Sequence, residues 1–463
     1  LKSGKNISRI FSFLLVPVLL GSVAVGFIFK VGIINDNFLS HSIADRDSIP
    51  TWGIMLAIQT WQYVPLFAYM FWLRLNNIRE NFTSFAQASH LNESELVRDI
   101  YWPECRDIAS LLALYSVVEC YHEFIKFHLV LRASAGTGTE LVSHWLLRYY
   151  NYYSPVDPRI AMSNTLAMSL LFTGIGLLFS AIFIFILHKY SINIIRVLSG
   201  PIAFASEKKH TCIIFSIGLF TMCFFPFTTL VPYLFRVSFI DTHGFFRSCF
   251  LTGLVVSVAM GVTISFGFIL RVVWPKLLNK FSKRSLPVLS GLYLLHLVPP
   301  IGVALSGYYW ISALNLNLRN ELYSIVIWFI GQIILVFPIL SIFVLLNHFR
   351  IRNEELNFQK SSQTRLRELF HFSFYKRMRL EYVLISLFGF SFVWNESILN
   401  SIMSNLSRNI PSIAVELTQR IDGRGGSYYE AANLIMVVLV PVILGILIWG
   451  YLIKSRGMIN RRI

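Results

Sequence analysis

Long apolar runs separated by short polar ones dominate the chain. Runs long enough to cross a bilayer, about 20 residues each, occupy 10–32, 52–74, 107–130, 161–188, 211–237, 246–270, 286–311, 322–346, 382–402 and 432–453. The pattern predicts an all-α protein with about ten transmembrane helices. The first run is not a signal peptide: its apolar core is too long and no small-residue cleavage site follows. Pro17, Pro65, Pro226, Pro232, Pro299, Pro300, Pro338 and Pro441 fall inside these runs. In a membrane such prolines mark kinks that neighbouring helices satisfy, which argues for a packed bundle.

Within this pattern the chain repeats itself. Glu123 and Glu396 are acids in otherwise apolar segments, and their separation is 396 − 123 = 273 residues. The same offset lays Gln59 on Gln332, Pro65 on Pro338 and Val142 on Val415. Each acid is followed by a polar loop and a short amphipathic stretch, ELVSHWLL after Glu123 and IAVELTQRI after Glu396. A constant offset that keeps prolines and intramembrane polar residues in register is a duplication signal. It divides the chain into a first half (1–190), a cytoplasmic linker (191–210) and a second half (211–463).

Composition agrees with the membrane pattern. The chain is 55% hydrophobic and 14% charged, with mean hydropathy +0.61, against about 25% charged in soluble domains. The net charge of +16 fits Lys and Arg gathered in cytoplasmic loops, not a nucleic-acid surface. With the amino terminus inside, most of the 40 Lys and Arg fall on that side, which places both termini in the cytoplasm. Loops 75–106 and 347–381 then face in, and loops 131–160 and 403–431 face out. The amphipathic stretches become interfacial on the outer side. The five cysteines form no CxxC pair and read as small buried residues, not disulfides or a metal site.

Ionisable groups inside a span cost about 2.5–3.5 kcal/mol each on insertion scales and tend to face the bundle interior. They cluster in one predicted helix as Glu119, His122, Glu123 and Lys126, at spacings that share one helical face. Such a face binds a cation, relays protons, or neutralises itself through Lys126. His122 and His128 lack a third ligand for a metal. Gln59, Gln332, Asn395 and Glu396 are the other polar candidates for lining a path or bonding helices to one another. No constellation outside the spans suggests an enzyme.

The two inner loops carry the remaining signal. Residues 84–106 read SFAQASHLNESELVRDIYWPECR and 357–379 read NFQKSSQTRLRELFHFSFYKRMR. Both are polar, helical in character, and stand directly before the span with the acid. This order resembles the permease subunits of bacterial binding-protein-dependent ABC importers, whose inner loop carries an EAA–Gly–I-x-L-P pattern. Ala86 and Ala88 stand near the Ala pair, Trp102-Pro103 replaces Leu-Pro, and Glu123 follows Pro103 by 20 residues. His122-Glu123-Phe124 and Asn395-Glu396 match the acid's context. The sequence departs from the pattern at the loop glycine, which is His90 in the first copy and Gln363 in the second, and at Lys376, where Pro is expected.

The resemblance implies a type I permease with two fused, pseudo-symmetric halves, as in ferric-iron and thiamine importers, in the bacterial inner membrane. It implies coupling residues Ala86, Ala88, His90, Asn92, Arg98 and Pro103 in one loop and Lys360, Gln363, Arg365 and Arg367 in the other. It also implies two partners, a homodimeric cytoplasmic ATPase and an extracytoplasmic substrate-binding protein. The chain has no G-x-x-x-x-G-K-[ST] phosphate loop, so ATP belongs to the partner and no cofactor is expected here. An ion- or proton-coupled secondary transporter and a non-transporting descendant of a permease are the rival readings. The second half has six apolar runs and the first has four. Two amino-terminal helices are therefore expected either to be missing from this numbering or to have been lost in this protein; an apolar pair in the encoding gene before Leu1 would support truncation, and a Met codon immediately before Leu1 would exclude truncation.

Overall fold

The computed structural model describes residues 13–20, 22–30, 49–88, 92–123, 142–207 and 209–230, much of 246–262, 291–313 and 323–334, and isolated positions beyond. Every regular element among the described residues is helical. The all-α class is therefore observed. The second inner loop, 357–379, and the second acid-bearing segment, 394–423, lie outside the described residues, as do the segments on which most of the second half of the repeat rests.

The amino-terminal run is broken helix: a turn at Phe13–Leu15, a short helix at Val16–Leu19, then α1 (Ser22–Phe29). Helix α2 (Ile49–Ala88) has 40 residues and continues straight through the first part of the expected inner loop. Its buried residues Ile54, Met55, Ile58, Trp61, Gln62, Leu66 and Tyr69 recur every three or four positions, the signature of one packed face. Phe29 meets Trp61 edge-on, with centroids 5.2 Å apart.

The rest of that loop is helical too. Asn92 caps a new helix: its Oδ1 accepts from the Glu95 N–H at 2.8 Å, and Glu95 Oε2 accepts from the Asn92 N–H at 3.0 Å. This reciprocal capping box satisfies two otherwise orphaned donors. One α turn at Glu93–Glu95 passes into a π-helical turn at Leu96–Tyr101, and then into α3 (Trp102–His122). The Trp102 N–H reaches back to the Val97 carbonyl. Pro103 explains the widening: it has no N–H to give and its ring would meet the carbonyl four residues back in a regular helix. Helix α3 ends at His122; Glu123 is extended (φ −71°, ψ 131°) and its N–H closes on the Glu119 carbonyl.

The amphipathic stretch after the first acid becomes α4 (Val142–Tyr153). A turn leads to Asp157, whose Oδ1 accepts from the Arg159 and Ile160 N–H groups at 2.9 and 3.1 Å. That cap, with Pro158 in the first turn, starts α5 (Pro158–Glu207), a helix of 50 residues. Residues 191–207 of the expected linker are thus helical, and α6 (Lys209–Phe224) follows at once. Within α5, Pro158–Ile202 is long and apolar enough to cross a bilayer, and no other described helix meets that measure.

Helix α5 is packed by its small residues. Ala161, Thr165, Ser169, Thr173, Gly176, Ser180, Ser191 and Ser199 are buried, while Leu170, Leu177, Phe179, Phe183 and Ile186 are exposed. The buried hydroxyls are satisfied within the helix: Thr165, Ser169, Thr173 and Ser180 each donate to the carbonyl four residues back, at 2.7–2.8 Å. Small side chains let neighbours come close. Gly302, in α7 (Pro300–Ala313), lies against Ser169, and Gly176 lies against the Tyr121 ring of α3. An apolar core of Leu146, Val255, Ile301, Ala304, Leu305 and Trp328 fills the space where α4, α5 and α7 meet.

A Cβ on Gly176 would sit 2.9 Å from Tyr121 Cζ, whereas one on Gly174 meets nothing within 4 Å. Gly176→Val is therefore expected to lower stability by about 1–3 kcal/mol through overpacking. Gly174→Ala is expected to raise it by up to about 1 kcal/mol through helix propensity. Thermal unfolding of the purified chain in detergent checks both, and equal shifts at the two positions would refute the contact.

Candidate functional site

The polar groups of the predicted acid-bearing span gather at the end of α3. Glu119 is buried, and one oxygen of its carboxylate accepts from the Tyr63 hydroxyl of α2 at 2.7 Å. Tyr115, one turn earlier on α3, meets the Tyr63 ring edge-on at 6.1 Å, which places a second phenol beside the pair. Gln59 stands one turn before Tyr63 on α2, and Gln62, next to Tyr63, is buried.

His122 faces a different neighbour. The His122 ring packs edge-on against His296, with centroids 5.2 Å apart. His296 is buried in the short helical stretch that breaks at Val298–Pro299 before α7 begins. Pro299 and Pro300 enforce that break, since neither offers an N–H to the preceding turn. One turn earlier, Tyr293 Oη lies 2.7 Å from Ser180 Oγ of α5 and donates to the Leu114 carbonyl of α3 at 3.2 Å. The site is therefore a junction of α2, α3, α5 and the 291–298 stretch, joined by phenol, carboxyl, imidazole and hydroxyl groups.

The expected single face is described only in part. Glu119, His122, Glu123 and Lys126 were to share one helix, but α3 stops at His122 and Lys126 lies outside the described residues. The first member of that face, Glu119, meets the phenol of another helix. Gln332 is buried in the 323–334 stretch. Asn395 and Glu396 lie outside the described residues. Among the described residues no three His, Cys, Asp or Glu side chains come together as a metal would require.

The residues expected to couple to a partner sit at the other end of α3. Ala86 and Ala88 end α2, Asn92 caps the next helix, Arg98 lies in the π turn and Pro103 opens α3. The Arg98 guanidinium holds Asp99 in a two-bonded pair, both contacts at 2.7 Å. That hydrogen bond holds the Asp99 carboxyl below its usual range. Its stabilising effect is present above the ordinary carboxylate range and fades as pH falls through the lowered value; both groups are exposed, so the effect is small. The turn rests on α5: Ser94 Oγ donates to Ser199 Oγ at 3.3 Å, and Trp102 Nε1 donates to Ser191 Oγ at 3.2 Å. His90, Lys360, Gln363, Arg365 and Arg367 lie outside the described residues.

Sequence reasoning did not find Tyr63, Tyr115, His296 or the serines of α5. The signals were present but faint: Tyr63 follows Gln59 by four residues, Tyr115 precedes Glu119 by four, and His296 stands just before the Pro pair. Removing the hydroxyl in Tyr63→Phe is expected to cost about 1–3 kcal/mol, because a buried carboxyl loses a donor. Adding Glu119→Gln to that variant should cost less than the sum of the single changes, since both act on one bond. A thermal-unfolding double-mutant cycle measures this, and strict additivity would show that the pair is not coupled. No protein-family model, curated protein or solved structure matches the chain.

Proposed function

We propose that this chain is a multi-pass permease of the bacterial inner membrane, with about ten spans in two halves, which moves a small substrate inward and is driven by a separate cytoplasmic ATPase. The observation that carries the reading is the nearly unbroken helix from Glu93 to His122. It joins a capped, polar turn at one end to the Glu119–His122–Glu123 group at the other. The distance from Pro103 to Glu123 is 20 residues, about 30 Å at 1.5 Å per residue. A turn pushed at the inner surface thereby has a stiff connection to polar groups near the far side of the bilayer.

The membrane part is supported by α5, whose surface is reversed relative to a soluble protein. Its buried face is Ser, Thr, Ala and Gly, and its exposed face is Leu, Ile and Phe. Water would penalise that exposed face, whereas lipid tails accept it. The Asn92–Tyr101 turn, docked on Ser191 and Ser199 at the inner end of the same helix, is the surface assigned to the ATPase, and the outer loops are assigned to a substrate-binding protein. Ferric iron and thiamine are the first substrates to test. ATP binds to the partner, and this chain acts by alternating access between its halves.

A second reading draws on the same junction. A carboxylate beside two phenols and a pair of imidazoles also suits an ion- or proton-coupled secondary transporter. Co-purification with a cytoplasmic ATPase separates the two. The permease reading expects two ATPase subunits per chain, and expects the complex to be lost when residues 92–101 are replaced by a Gly-Ser linker. Purification of the chain alone, with uptake into proteoliposomes without ATP, would establish the secondary transporter instead.

A further inference from the structure

The outer corner of the molecule, between α4 and α5, carries exposed aromatic rings that the transport reading leaves unused. Trp145, Tyr149 and Tyr153 form a ladder along one face of α4, with centroids 5.4 Å apart for the first pair and 4.6 Å for the second. Tyr152 packs on Tyr153 at 4.9 Å. The ladder begins in the protein, where Trp145 meets Phe172 of α5 edge-on at 5.8 Å. It ends in the open: Tyr152 is 72% exposed and Val156, in the turn, is 84% exposed. Arg159, three residues after Val156, is exposed too.

We propose that this corner is a phospholipid-headgroup anchor that fixes the depth of α5 in the outer leaflet. The inference rests on the membrane reading and adds a lipid-binding surface to it. Two observations select lipid as the occupant. First, the exposed rings stand at the start of α5, where Ile160 is exposed, and the large exposed apolar side chains of the same helix follow from Leu170 onward. Second, that face carries a matching collar further along the helix, where Lys189 Nζ lies over the Phe185 and Tyr190 rings at 5.5 and 5.3 Å. A lysine with its stem along apolar surface and its ammonium turned to an interface is the geometry of snorkelling. Ile160 to Lys189 is 189 − 160 = 29 residues, about 44 Å of helix. A bilayer with its headgroups is about 40–45 Å thick. Both ends of the span thus combine tyrosine with a cation at headgroup depth, where amphipathic rings and lipid phosphates are found. Tyr152 and Tyr153 contribute the rings, and Arg159 contributes the charge that meets phosphate.

The test uses the unaltered chain in vesicles of phosphatidylethanolamine and phosphatidylglycerol. One phospholipid probe carries a photoactivated diazirine on its headgroup, and another carries it at the end of an acyl chain. Mass spectrometry locates the adducts. The headgroup probe is expected to label 149–160 several-fold more than 170–179, the acyl-chain probe the reverse, and the acyl-chain probe is expected to spare Val197, which lies beyond Lys189. Tyr152→Ser/Tyr153→Ser should lower headgroup labelling at the corner several-fold, while acyl-chain labelling of 170–179 in the same sample shows that the variant is folded and inserted. Acyl-chain labelling of α5 without headgroup labelling of 149–160 would overturn the anchor and leave the membrane reading standing. Absence of acyl-chain labelling from α5 would overturn the membrane reading and the anchor with it.

Discussion

Close approach of helices through small side chains is the constraint on which the described structure depends. Helix α5 presents Ser, Thr, Ala and Gly to the protein and keeps its large apolar residues outside. Because the hydroxyls bond back to their own helix, they can be buried without partners on the neighbouring helix. This frees α5 to act as a common wall. The Tyr121 ring rests against Gly176, Tyr293 reaches Ser180, and Gly302 lies on Ser169. A larger residue at those positions would hold α3 and α7 away and separate the groups at the end of α3.

The same wall continues to Ser191 and Ser199, where the capped turn before α3 is held. One helix therefore contacts both that turn and the buried polar junction, and α3 connects the same two places directly. The π-helical turn at Leu96–Tyr101 sits at the start of that connection. Insertions of this kind recur at functional sites, and Pro103 gives it a local cause. At the far end, the junction combines Glu119 with two phenols from α2 and α3, and His122 with an imidazole from the 291–298 stretch. Interhelical polar contacts in such a setting specify which helices are neighbours more than they add to stability.

Local features were legible in the sequence. Asn92 followed three residues later by Glu95 spells the observed capping box, Trp102-Pro103 opens the observed helix, and the stretch after the first acid forms the observed α4. Boundaries were less legible. The expected inner loop after residue 74 and the expected linker at 191–210 are largely helical, because Leu75, Ile78, Phe82 and Phe85 keep a helical period while polar residues fill the other faces. An apolar-run criterion measures where lipid can lie, and helices continue beyond it. The end of α3 was not legible either: the backbone leaves the helix at Glu123, within a stretch whose hydropathy does not change.

The sequence by itself determined the helical class, the reversed hydrophobic balance, the start of α3 and the presence of ionisable residues near its end. These follow from chain composition and from interactions spanning a few residues. Only the tertiary structure decided what meets those residues. Tyr63 and Glu119 are 56 positions apart, and His122 and His296 are 296 − 122 = 174 apart. Periodicity states which face of a helix is buried, but it does not state which helix covers that face. That choice is made by the fit of small residues on α5 against Tyr121, Tyr293 and Gly302, a property of the packed helices together.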